Sequence, residues 1–140
     1  MELYVLRSKE EIGLEIGRRI VERVKQNPYI VLGLATGSSP LFTYEAIVKY
    51  SLAENVSYKN VTTFNLDEYV GLEETNKQSY RYFMNENLFK YLDFKKESHH
   101  FPSIENMSNY DEEIKNSGGI DIQLLGIGSN GHIAFNEPFT

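Results

Sequence analysis

Residues 29–40 read YIVLGLATGSSP. Tyr29 to Ala35 is apolar without alternation, which is the pattern of a strand buried on both faces, as in a parallel sheet. Thr36-Gly37-Ser38-Ser39 forms the loop that follows. Ser39 is placed as the N-cap of a helix and Pro40 at its first helical position. That helix runs to about Tyr50. Upstream, Ser8 and Glu11 have capping-box spacing. Ile12, Ile16, Ile20 and Val24 then recur every four residues, which predicts one buried helix face, and Asn27-Pro28 stops that helix. Leu3 to Leu6 reads as a short strand before it. Downstream, Val61 to Leu66 is a second long strand. Gln78 to Leu92 reads as helix, with Tyr80, Phe83, Met84, Leu88 and Tyr91 or Leu92 on its inner face. Tyr110 to Lys115 belongs to a further helix, ended by Gly118-Gly119. Ile120 to Leu125 is the next strand, and a glycine-rich loop follows it. Strands alternating with helices predict an α/β fold, a Rossmann-like open, mainly parallel sheet with helices on both faces.

Composition limits what such a fold could do. Hydrophobic residues make up 41% of the 140 and charged residues 24%, values of an ordinary folded chain rather than a disordered one. The longest apolar run, Tyr29 to Leu34, is far short of the roughly 20 residues that span a bilayer. Met1 to Leu6 is followed at once by Arg7, Lys9 and Glu10, which is not a signal-peptide pattern. The chain contains no cysteine, which rules out disulfides, thiolate metal sites and cysteine nucleophiles, and fits a cytoplasmic setting. A net charge of −6 disfavours nucleic acid or an anionic membrane as partner. An anionic small molecule would need a local cradle of backbone N–H groups instead. The ten tyrosines and eight phenylalanines fall largely at helical spacing, as in YRYFMNENLFKYL, and read as core rather than as a base-stacking platform.

Ligands of open parallel sheets bind at the carboxyl ends of strands. That rule selects three segments. In LGLATGSSP, small residues between strand and helix let backbone N–H groups approach an anion, and the helix N-terminus adds its dipole. Thr36, Ser38 and Ser39 add hydroxyls. The segment lacks the lysine of a Walker A loop and the spacing of a dinucleotide fingerprint. It reads equally as a tight strand–helix turn. In FNLDEYVGL, Asp67 and Glu68 follow an apolar strand. A partly desolvated carboxylate there has a raised pKa and can act as a general base, although a helix cap is the plainer role. In GIGSNGHIAFNEP, Gly126, Gly128 and Gly131 permit close contact with a ligand. His132 can exchange a proton near neutral pH. Asn130 and Glu137 lie close enough in sequence to orient it. His99 and His100 lack a companion motif for a metal and read as solvated or packing residues.

Together, LGLATGSSP, VTTFNLDEYVGL with QSYRYFM after it, and GIGSNGHIAFNEP resemble the N-terminal portion of the glucosamine-6-phosphate deaminase (glucosamine-6-phosphate isomerase) family. The resemblance runs over essentially the whole chain, as one portion, 1–140, of a single sugar-phosphate deaminase/isomerase domain. It implies an enzyme, a hydrolase that converts glucosamine 6-phosphate and water to fructose 6-phosphate and ammonia in amino-sugar catabolism, with no metal or organic cofactor. Carried over by motif, Asp67 abstracts the C2 proton of the open-chain sugar and returns it at C1, and His132 handles the proton of ring opening. Asn130 and Glu137 position His132 and adjust its charge. Thr36, Gly37, Ser38 and Ser39 contact the sugar phosphate. Some members have an acid at position 130. Asn130 can orient an imidazole but carries no charge.

The implied partner is a small-molecule sugar phosphate, with no nucleic acid and no membrane, and room for a homo-oligomer. The family's later half supplies a lid and basic residues for the phosphate. The sheet of these 140 residues is therefore expected to be truncated. Two other readings stand beside this one. A 6-phosphogluconolactonase-like hydrolase shares the fold and a similar glycine-histidine loop, but FNLDEYVGL and FNEP favour the deaminase. A non-catalytic sugar-phosphate-binding module would not need Asp67, His132 and Glu137 intact.

Overall fold

The computed structural model describes residues 8–68, 76–77 and 79–125. The chain alternates helix and strand as its sequence predicts. Helix α1 (Lys9–Gln26) is followed by strand β1 (Val31–Leu34), helix α2 (Leu41–Glu54) and strand β2 (Thr62–Asn65). Helix α3 (Tyr80–Asn87), strand β3 (His99–His100), helix α4 (Tyr110–Asn116) and strand β4 (Ile122–Gln123) complete the order. The sheet runs β3-β2-β1-β4, and each neighbouring pair is parallel. β1 is central, and all four of its residues are buried. The expected Leu3–Leu6 strand lies outside the described residues.

Alternate residues of β1 face opposite sides of the sheet. Leu32 and Leu34 enter the larger core with Ile20, Val21 and Val24 of α1, Tyr44 and Ile47 of α2, and Met84 and Leu88. Val31 points the other way, where it joins Phe64 and Tyr110, with Ile114 and Ile120 packed against them. Both faces are thus covered, as a run buried on both sides requires. Each fully buried Leu, Ile or Val contributes roughly 1.5–3 kcal/mol.

Several boundaries differ from the sequence-based expectation. Ser8 caps α1, its Oγ accepting from the Glu11 N–H at 3.2 Å, as the capping-box spacing predicts. Ile20 and Val24 of the expected stripe are buried and Ile16 packs against the core, but at the start of the helix Ile12 is 41% exposed and Gly13 and Gly17 are buried instead. The two glycines let α1 settle directly on α2. A Cβ built on Gly17 would lie 2.5 Å from the Ala46 Cβ, and one on Gly13 2.4 Å from the Phe42 Cβ. Ser39 does not cap α2. Pro40 occupies the cap position, with no side-chain capping bond, and α2 runs past Tyr50 to Glu54. α3 starts at Tyr80 and ends at Asn87, and the expected last turn is a separate 3-10 turn over Phe89–Tyr91. Leu92 packs against the core while Tyr91 is exposed.

His99 and His100 form the edge strand β3, which no apolar run announced. They are packing residues. The His99 ring stacks on Phe89 with centroids 3.4 Å apart, and its Nδ1 lies 2.8 Å from the Thr63 Oγ1. His100 stacks on Phe64 at 4.5 Å. The tyrosines and phenylalanines follow suit, with Tyr44, Tyr58, Phe64, Phe89, Phe101 and Tyr110 all buried in the core.

Candidate active site

Because the four described strands are parallel, their carboxyl ends share one edge of the sheet. β1 has β2 on one side and β4 on the other, so the chain reverses its direction of travel across the sheet between β1 and β4. That is the topological switch point at which open α/β sheets bind ligands. Leu34 pairs with Asn65, and Gly33 with Gln123. Thr36 and Asp67 therefore each lie two residues past the last β1–β2 pair, on adjacent strands.

The loop after β1 has the properties of an anion cradle. Gly37 has φ +98°, which a side chain would strain, and a Cβ there would meet no atom within 4 Å, so backbone geometry rather than crowding calls for glycine. Thr36 is half-buried, while Gly37, Ser38 and Ser39 are exposed. α2 starts directly behind them with neither a side-chain cap nor an acidic residue in its first turn. The Leu41 N–H donates to the Ser38 carbonyl at 3.4 Å, and no acid within the first turn offsets the positive end of the helix dipole. The loop is fixed from below by Tyr44. Its buried hydroxyl accepts from the Ala35 N–H at 3.0 Å and donates to the Ala35 carbonyl. Burial pushes the Tyr44 pKa up, so the hydroxyl stays protonated.

The end of β2 is held as firmly. The Asn65 carboxamide donates to the Leu34 carbonyl at 3.3 Å, tying β2 to β1. The Tyr110 hydroxyl, reaching across from α4, donates to the Asn65 carbonyl at 2.6 Å. Asp67 follows two residues later and is half-buried. Burial alone pushes its carboxyl above the ordinary carboxylate range. Its neighbour Glu68 has a different role. The Glu68 Oε1 accepts from the Tyr80 N–H at 2.8 Å and its Oε2 from the Arg81 N–H at 3.0 Å, capping α3. The Asp-Glu pair is thus divided, with one carboxylate spent on a helix and the other left at the sheet edge.

β4 delivers the chain to the same edge through Leu124, whose N–H donates to the Gly33 carbonyl at 2.9 Å. Asn130, His132 and Glu137, with Gly126, Gly128 and Gly131, lie outside the described residues. The structure thus brings Thr36, Gly37, Ser38, Ser39 and Asp67 to one edge. The helix-cap role that the sequence offered for the Asp67-Glu68 pair is filled by Glu68. Sequence reasoning missed the supports Tyr44, Asn65 and Tyr110, whose partners are fixed by tertiary packing.

The fold defines a parallel α/β protein in which the loops after β1 and β2 leave the same sheet edge beside a topological switch point. Residues 8–135 match the family described as glucosamine-6-phosphate isomerases/6-phosphogluconolactonase, and the chain belongs to that family. It is 48% identical over 141 residues to a glucosamine-6-phosphate deaminase of Mycoplasma mycoides, covering 99% of this chain and 58% of the relative. It is 48% identical to one of Shewanella woodyi, covering 99% of this chain and 54% of the relative. The chain therefore spans somewhat more than half the length of these curated relatives. Among solved structures, a monomeric glucosamine-6-phosphate deaminase superposes with a TM-score of 0.93 at 39% identity, over all of this chain and 61% of its own. A 6-phosphogluconolactonase from Trypanosoma brucei superposes at 0.74 and 19% identity, over 98% of this chain and 63% of its own, a likeness of fold.

Proposed function

We propose that this chain carries the proton-transfer half of a glucosamine-6-phosphate deaminase site, with Asp67 as the enolising base. The observation that carries the reading is the Asp67 carboxylate. It stands at the carboxyl edge of the sheet, raised by burial, level with the loop that leads into an uncapped helix N-terminus. A sugar phosphate seated on Thr36, Gly37, Ser38, Ser39 and the first turn of α2 would present its carbon chain toward β2. In the open-chain sugar, Asp67 takes the proton from C2 while the aldehyde oxygen is protonated, giving an enolamine. Returning the proton at C1 leaves a carbon–nitrogen double bond at C2. Water adds there and ammonia leaves, giving the ketose phosphate. Each step is a proton transfer or an addition, which side chains can carry out without a cofactor.

Ring opening moves a proton from the anomeric hydroxyl to the ring oxygen and needs a second group. GIGSNGHIAFNEP supplies His132 by motif, with Asn130 and Glu137 to orient it. A carboxylate and an imidazole suit two proton transfers on different atoms. The 19%-identical lactonase structure supports no more than a common fold, whereas FNLDEYVGL and FNEP favour the deaminase. A phosphorylated sugar does not cross a bilayer unaided, which supports a cytoplasmic setting. Among the described residues no helix is long and apolar enough to span a membrane.

The test uses the whole protein with glucosamine 6-phosphate and, separately, 6-phosphogluconolactone. The wild type releases ammonia from the first and leaves the second intact. Asp67→Asn loses ammonia release by at least about 10³-fold while sugar-phosphate affinity stays within a few-fold, because the carboxamide keeps the shape and loses the base. Near-normal turnover in Asp67→Asn removes Asp67 from the chemistry. Lactone hydrolysis with no ammonia release replaces the reaction altogether.

A further inference from the structure

We infer that Glu68 is a positioning residue for Asp67, clamping the end of β2 to the first turn of α3 so that the neighbouring carboxylate is held at a fixed point of the sheet edge. The inference rests on the proposed role of Asp67 as the base.

The first turn of a helix leaves four N–H groups without intrahelical partners. In α3 all four are met. Ser79 donates to the Asn76 carbonyl at 2.9 Å, and Tyr82 to the Ser79 Oγ at 3.0 Å. Tyr80 and Arg81 donate to the two oxygens of Glu68 at 2.8 and 3.0 Å. Ser79 is thus already a side-chain cap for this helix. Glu68 adds a second, reaching from 12 residues upstream with both oxygens engaged. What this second cap adds is attachment. α3 is anchored in the main core through Met84, which is fully buried, and Glu68 ties the residue after Asp67 to that anchored helix. On the other side of Asp67, the Asn65 carbonyl is held by Tyr110 and the Asn65 side chain by Leu34. Only Leu66 and Asp67 lie between the two clamps. An acid whose task is to meet one C–H bond gains from this, because small displacements of a catalytic group cost rate steeply.

Two caps of one helix, of which only one is bonded to the Asp67 neighbour, provide the test. Glu68→Ala, Glu68→Gln, Ser79→Ala and Asp67→Asn are made in the whole protein. Ammonia release and thermal midpoint are measured for each. Glu68→Ala should lower kcat by on the order of 10–100-fold with KM changed far less, since the base is misplaced and the phosphate loop is untouched. Glu68→Gln, which keeps one acceptor oxygen, should recover part of that loss. Ser79→Ala should lower the thermal midpoint comparably and leave kcat close to wild type. Equal kcat losses in Glu68→Ala and Ser79→Ala, with Asp67→Asn inactive, would mean that Glu68 is only a helix cap, and the inference fails alone. An active Asp67→Asn sinks both the inference and the reading beneath it. If Glu68→Ala does not fold, the Gln variant decides by the same comparison.

Discussion

Asp67 and Glu68 are neighbours of nearly identical chemistry with opposite assignments. Two N–H groups hold Glu68, whereas among the described residues Asp67 is shifted by burial. On the proposed reading, environment rather than residue type separates the Glu68 cap from the Asp67 base. Sequence could nominate the pair but could not divide it, because the N–H groups of Tyr80 and Arg81 arrive from another element. His99 makes a similar point. Burial, then the positive charges of Arg81 and His100, push its pKa down to about 4. In the unfolded chain an imidazole titrates near 6.5. Between these values the unfolded chain binds a proton that the native protein refuses, so stability rises with pH across this window and is lost as pH falls through it. The loss reaches on the order of 2–3 kcal/mol near pH 4. Urea midpoints measured from pH 5 to 7 should therefore climb, and His99→Gln should flatten the climb. An unchanged slope in the variant would assign the effect to other groups.

At the scale of elements, α1 and α2 meet through glycine. Four-residue periodicity located α1 and most of its buried face, since Ile20 and Val24 are in the core and Ile16 packs against it, but Ile12 is exposed and the contact with α2 runs through Gly13 and Gly17. A residue without a side chain contributes nothing to an apolar stripe, yet it is what lets two backbones approach. β3 escaped notice for a related reason. Two histidines carry no hydrophobic pattern, and only pairing with Thr63 and Phe64 makes them a strand. β1, by contrast, was legible because both of its faces are buried and its run of apolar residues is unbroken. The α1–α2 contact makes Gly17→Ala informative. On an isolated helix the change would be worth up to about 1 kcal/mol in favour of folding. Here the new methyl would stand 2.5 Å from the Ala46 Cβ. Overpacking of this kind costs typically about 1–3 kcal/mol, so the thermal midpoint should fall. Adding Ala46→Gly should recover part of the loss, because it removes the opposing methyl. A midpoint raised by Gly17→Ala alone would show that the helices can move apart without penalty.

Across the whole molecule, the parallel order sets the candidate site at one end of the sheet and a clasp between β1 and β4 at the other. The edge that carries Thr36 to Ser39 and Asp67 was legible because strand ends alternate with sequence-distinctive loops, and parallel strands bring those loops to one side of the sheet. What was not legible is how β4, two residues long, is kept against β1. The answer lies at the amino-terminal edge. The Val31 N–H donates to the Asp121 Oδ2 at 2.8 Å, and the Asp121 N–H returns a bond to the Val31 carbonyl at 2.9 Å. This reciprocal clasp joins residues 90 apart in sequence, ahead of the short Leu32–Ile122 and Gly33–Gln123 pairing. Asp121→Ala deletes the acceptor and leaves the N–H of a buried strand residue unmet, at a cost of about 1–3 kcal/mol. Asp121→Asn keeps an oxygen in place and should lose less. Neither side chain reaches the carboxyl edge where Asp67 stands. Urea unfolding of the whole protein should thus show a lower midpoint for Asp121→Ala than for Asp121→Asn, and both below wild type. Turnover per folded molecule, measured well below each midpoint, should stay near wild type in both. A fall in turnover that outpaces the fall in folded protein would mean that the two edges are coupled through β1, and the separation of scaffold from chemistry along the strands would not hold.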